Sequence, residues 1–139
     1  MSDAAALAAL HQETMSEAWS VQSFQDMLSL PTTIGWKISS QHHLVAFILL
    51  QETYQQAEIL SLATHPQHRR CGMAQRLLEH ASRELHIKHC SRVMLELRAG
   101  NLAAYQLYVS HGFKPQSTRK HYYPDGEDAL TMSLRMGNT

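Results

Sequence analysis

The sequence predicts an α/β fold, a mixed sheet with helices on both faces. Three observations predict it: two helix-forming stretches precede a run of short apolar segments, one long amphipathic helix interrupts that run, and a further strand and helix lead into a terminal hairpin. The 139 residues, 44% of them hydrophobic, suffice for one core. No internal repeat, linker or low-complexity tract divides them, so one domain spanning 1–139 is expected.

Asp3–Thr14 is rich in Ala and Leu and reads as a first helix with Asp3 near its start, and Ser20 is a good N-cap for a second carrying Val21, Phe24, Met27 and Leu28. Pro31 ends it. Two strands follow at 33–39 and 43–51, joined by the polar Ser40-Gln41-His42. The second is almost continuously apolar, which calls for a central position or cover on both faces. Residues 57–64 form a third strand, stopped by His65-Pro66. From 70 to 88, Met73, Leu77, Ala81 and Leu85 fall four apart and lie on one helical face against a sheet. Arg92–Arg98 alternates, with Val93, Leu95 and Leu97 on one face and Met94, Glu96 and Arg98 on the other. Asn101 caps a helix ending at Gly112, and two more strands flank the turn at Pro124-Asp125-Gly126.

Composition excludes several classes. Twelve Lys and Arg balance twelve Asp and Glu, so nothing suggests a partner nucleic acid or an acidic membrane surface, and any anionic ligand must be held locally. Cys71 and Cys90 show no CxxC pattern, and the chain start lacks a basic segment followed by an apolar run; a reduced, cytoplasmic protein fits. The longest apolar run, 44–50, is far short of the roughly 20 residues that span a bilayer. The ten histidines lack HExxH spacing, and no metal site is expected.

The third strand runs through Arg69-Arg70-Cys71-Gly72-Met73-Ala74 straight into a helix, where free N–H groups and the helix dipole favour an anion. Gly72 would let a pyrophosphate approach the backbone, with Ala74 keeping the next contact small and the arginines adding charge. An ordinary capped turn with solvated arginines fits the same residues. Glu96 is a carboxylate on an apolar strand, either a proton acceptor or a structural partner of Arg98 or another cation. Asn101 and Tyr108 stand two helical turns apart and could meet one ligand together, Tyr108 as a proton donor. Equally, Asn101 could be only a cap and Tyr105, Leu107 and Tyr108 only packing. Cys71 has no His or Asp at a spacing that would make it a nucleophile.

Taken in order, these residues resemble the GNAT superfamily of acetyltransferases, and more narrowly its RimI-type bacterial ribosomal-protein-alanine N-acetyltransferases. The superfamily's cofactor loop, Gln or Arg, two residues, Gly, one residue, then Gly or Ala, is matched at 69–74. Leu95-Glu96-Leu97-Arg98-Ala99-Gly100-Asn101-Leu102-Ala103-Ala104, then Leu107-Tyr108 and His111-Gly112-Phe113, resembles the protein N-terminal acetyltransferase signature. Tyr122-Tyr123-Pro124 with Glu127-Asp128-Ala129 extends it, and Ala18-Trp19-Ser20 to Phe24 fits its entry. The resemblance implies a mostly antiparallel sheet of about six strands, with acetyl-CoA as cosubstrate and no metal. Leu62, Ala63 and Thr64 would offer backbone to the acetyl-pantetheine. Arg70, Cys71, Gly72, Met73, Ala74 and Gln75 would hold the pyrophosphate, and Asn101 the cofactor arm. Glu96 would be the general base and Tyr108 the general acid, acting on a protein N-terminus, that of a ribosomal protein. The family usually begins with a strand where this sequence begins with a helix, so the first edge strand is expected to be absent, leaving a monomer or weak dimer. A GNAT enzyme for small amines and a coenzyme A-binding sensor without chemistry are the competing readings.

Overall fold

In a computed structural model, residues 3–14, 19–69 and 72–136 are described. Among these residues four helices and six strands follow one another: α1 (Asp3–Thr14), α2 (Val21–Leu28), β1 (Thr33–Ser40), β2 (His43–Thr53), β3 (Gln56–Thr64), α3 (Met73–Ile87), β4 (Arg92–Arg98), α4 (Leu102–Ser110), β5 (Lys114–Arg119) and β6 (Ala129–Arg135). A 3-10 turn, Pro66–His68, links β3 toward α3. The strands form one sheet in the order β1-β2-β3-β4-β6-β5. Every neighbouring pair is antiparallel except β3 and β4, whose crossover passes through α3.

Local chemistry accounts for the elements. Ser20 accepts the Ser23 N–H and caps α2, and Asn101 accepts the Ala104 N–H and caps α4. Gln41 and His42, both at positive φ (52° and 67°), make the tight turn between β1 and β2. Gly112, at φ +109°, ends the α4 segment in a conformation that glycine adopts at little cost. Arg70 and Cys71, read as the start of the central helix, lie outside the described residues.

The six consecutive buried residues of β2, 45–50, are explained by cover on both faces. Ala46, Ile48 and Leu50 join Leu77, Leu78, Ala81 and Leu85 of α3 in one core, with Val93, Leu95 and Leu97 of β4. Phe47 and Leu49 turn the other way, into a smaller core with Ala4, Leu7, Ala8 and Leu10 of α1 and Phe24 of α2. Phe24 stands edge-on to Phe47, ring centres 5.9 Å apart.

Because Phe24 is fully buried and Val21 on the same helix is 42% exposed, their truncations separate packing from propensity. Phe24→Ala should cost about 3–5 kcal/mol in urea unfolding, and Val21→Ala should change stability by about 0.5 kcal/mol or less.

Candidate active site

The β3–β4 ladder is short. It pairs Gln56 with Arg92 through Ile59 with Leu95 and goes no further, so residues 60–64 and 96–98 continue along separating strands. A cleft of about 380 Å³ opens between them, reached by α1, α4 and the loop between β5 and β6.

A bulge at Leu60 decides which way the free end of β3 looks, since Leu49 pairs with Ser61 but Leu50 with Ile59. Ala57 and Ile59 lie in the core under α3, and a strand of period two would send Ser61 and Ala63 there too. The extra residue reverses the alternation: Ala63 packs on the α1 side with Phe47 and Leu49, and Leu62 packs toward α3. The cleft therefore has two halves. On the α1 side stand His11, Trp19, Ser61, Glu96, Arg98 and Tyr123; on the α3 and α4 side stand Leu62, Asn101, Ala104 and Tyr108.

The backbone of β3 serves the cleft as well. His65 donates its N–H to the Val45 carbonyl at 2.7 Å. By antiparallel alternation Ala63 then pairs with Phe47, whereas Leu62 and Thr64 turn their peptide groups toward the cleft.

Glu96 points away from Val93, Leu95 and Leu97, as the alternation in the sequence requires. Its side chain keeps 26% of its surface exposed. It accepts a hydrogen bond from the Tyr123 hydroxyl at 3.2 Å and has Arg119 at 3.8 Å. Arg98 does not pair with it. The Arg98 guanidinium instead bonds Asp125 and Glu127, both at 2.9 Å, and lies 4.1 Å over the Tyr123 ring. Glu127 also receives the Gly100 N–H at 2.8 Å, and a Cβ at position 100 would come within 2.7 Å of that carboxylate. Arg98, Glu127 and Gly100 thus fasten the β5–β6 loop over the cleft and hold Tyr123 against Glu96. Burial, then the neighbouring Glu96 charge and hydrogen bond, push the Tyr123 phenol up to about 12, so it remains a donor.

Tyr108 is 6% exposed and packs edge-on against Phe113. Burial raises its phenol well above the ordinary 10. Asn101 is both a cap and a cleft residue. At the start of α3, Gly72 adopts φ +75°, with no atom of the described residues within 4 Å of where a Cβ would sit. Among the described residues no side chain caps this helix, and no acidic residue occupies its first turn. The first helical bond is from Arg76 to Gly72, leaving the N–H groups of Met73, Ala74 and Gln75 as donors for an anion. These residues fit a pyrophosphate.

Residues 4–113 match the Acetyltransferase (GNAT) family. The chain belongs to that family. It is 34% identical over 132 residues to the [ribosomal protein bS18]-alanine N-acetyltransferase of Escherichia coli (strain K12), covering 91% of this chain and 88% of that one. The crystal structure of the ribosomal-protein-S18-alanine N-acetyltransferase from Escherichia coli superposes with a TM-score of 0.93 at 30% identity, over all of this chain and 91% of the other. A chain of the NatC complex bound to Gag peptide and CoA shares the fold at a TM-score of 0.83 and 24% identity, covering 96% of this chain and 91% of that one. In this GNAT chain, Glu96, Arg98, Asn101, Ala104, Tyr108 and Tyr123 of the sequence signature line the β3–β4 cleft, and Gly72, Met73 and Ala74 stand at the start of α3.

Sequence spacing did not find His11, Ser61 or the role of Tyr123. Tyr123 lies 27 positions beyond Glu96 and reaches it only because β6 inserts beside β4. His11 is 4% exposed, and its Nδ1 accepts the Trp19 backbone N–H at 2.8 Å. Burial lowers its pKa from 6.5. The unfolded chain therefore binds this proton first as pH falls, so the folded state loses stability from about pH 6.5 downward. The melting temperature should fall less steeply below pH 6.5 in His11→Asn, which keeps an acceptor near Nδ1 and cannot titrate. Equal slopes in thermal scans of both proteins would contradict this.

Proposed function

We propose that this chain transfers the acetyl group of acetyl-CoA to the N-terminal amine of a protein, the alanine of ribosomal protein bS18, as one cytoplasmic domain acting as a monomer or weak dimer. The observation that carries the proposal is that Glu96 and Tyr108 line opposite halves of one cleft beside β3, the strand that the chain follows toward the N-terminus of α3. The identity to the bS18-alanine N-acetyltransferase of Escherichia coli supports the acceptor. The CoA held by the NatC structure supports the donor.

Acetyl-CoA supplies the acetyl group as an activated thioester. The N–H groups of Met73, Ala74 and Gln75 hold the pyrophosphate, with Gly72 admitting it and Arg70 and Cys71 completing the loop. Leu62 and Thr64 offer peptide groups to the pantetheine arm, Ala63 anchors that strand in the α1 core, and Asn101 meets the arm from α4. A β3 N–H beside the reacting carbonyl stabilises negative charge there. The acceptor enters on the α1 side. Its α-amino group, with a pKa near 8, is largely protonated at neutral pH, and Glu96 takes the proton that blocks attack. Tyr108, kept protonated by burial, gives its proton to the departing thiolate, and the second proton that the nitrogen sheds on becoming an amide restores the phenol. No acyl-enzyme is required.

Glu96→Gln and Tyr108→Phe should each lower kcat by about a hundredfold or more, with little change in the KM for acetyl-CoA. Free thiol release and peptide mass, followed together on peptides with free and blocked termini, check this. No mass gain on any N-terminal peptide, alongside turnover of a small amine, would move the acceptor to small molecules.

A further inference from the structure

Ser61 is 7% exposed, and its hydroxyl is buried without a hydrogen-bond partner among the described residues. Such a group costs about 1–3 kcal/mol when left unsatisfied, and an alanine would avoid that cost. The residue nevertheless sits where the bulge at Leu60 turns it from the α3 core to the α1 half of the cleft. Bulges beside reaction sites commonly serve to re-aim a side chain. His11 and Trp19 flank this half on one side, and Glu96 and Tyr123 on the other. No hydrogen bond within the described protein fixes the serine rotamer, so rotation about χ1 to meet a ligand breaks none.

Resting on the proposed function, we infer that the Ser61 hydroxyl seats the acceptor's terminal amine by accepting an N–H that Glu96 does not take. The chemistry asks for such a group. A primary ammonium gives up one proton to Glu96 and keeps two N–H bonds, and the lone pair faces the thioester only if rotation about the Cα–N bond is fixed. Glu96 approaches from β4 and Ser61 from β3, so the amine is held from both walls. Ser61 is thus a positioning residue that favours primary amines, because an N-methylated terminus retains a single N–H after deprotonation and leaves one wall unpaired. A site built to bond a substrate N–H rejects the analogue that lacks it.

The test compares Ala-initiated and N-methyl-Ala-initiated peptides with the full chain and with Ser61→Ala, alongside thermal melts. The wild type should prefer the primary amine. In Ser61→Ala, kcat/KM for the Ala peptide should fall about tenfold, the preference over the N-methyl peptide should shrink, and the KM for acetyl-CoA should stay unchanged. The melting temperature should hold or rise, since an unsatisfied hydroxyl has been removed. Normal wild-type turnover with the same preference in Ser61→Ala would overturn the seat and leave the proposed function standing. A lowered melting temperature with unchanged preference would make Ser61 structural, which also overturns it. Wild-type inactivity on every peptide would overturn the proposed function and the seat with it.

Discussion

The separation of β3 from β4 is the constraint on which the site depends. Two parallel strands that stayed paired would bury every peptide group between them, and no ligand could reach the middle of the sheet. Here the ladder stops after Ile59 and Leu95. Each strand stays anchored on its other edge, β3 to β2 as far as Thr64 and β4 to β6 as far as Arg98. Both walls of the cleft are therefore rigid although they do not touch. The exposed edge of β3 then offers Leu62 and Thr64 for pairing, so a strand-like ligand can take the place that β4 vacates.

The bulge at Leu60 gives the two walls different chemistry. Without it, Ser61 would sit under α3 beside Ile59, and Leu62 would face α1. With it, apolar Leu62 and phenolic Tyr108 look toward the α3 side, while Ser61, Glu96, Arg98 and Tyr123 gather on the other. The helices reinforce this division. Among the described residues no side chain caps α3, and its first turn holds no acidic residue, which suits an anionic donor. The opposite half holds Glu96 and a loop carrying Asp125 and Glu127, both bonded to Arg98, which suits a cationic acceptor.

Much of this was legible in the sequence because the signals were local. The fourfold spacing of Met73, Leu77, Ala81 and Leu85, the alternation of 92–98 and the caps at Ser20 and Asn101 each need only a few neighbouring residues, and each appears as read. Glu96 was placed on the correct face by period two alone. What escaped the sequence was set by distant pairing. The bulge at Leu60 exists only relative to β2, so the turn of Ser61 toward α1 could not be read from 57–64. Arg98 is two residues from Glu96 and shares its face, yet it bonds Asp125 and Glu127, because β6 brings that loop over the cleft. Nothing in the sequence around His11 marks it, and only the fold shows it buried against Trp19.

Burial sets the order of proton movements in the proposed reaction. Tyr108 lies in the α3 core with its phenol raised by desolvation, so it stays protonated at neutral pH and is available to a thiolate that forms beside it. Glu96 lies on the more open wall, its side chain 26% exposed, with a phenol and a guanidinium as neighbours. A carboxylate so placed can pass an accepted proton to water, which the buried phenol cannot do. The acid is shielded and the base is vented. Exchanging the two environments would leave both groups chemically present but slow: a buried carboxylate would hold its proton, and an exposed phenol would lose the desolvated contact through which it protonates the leaving group.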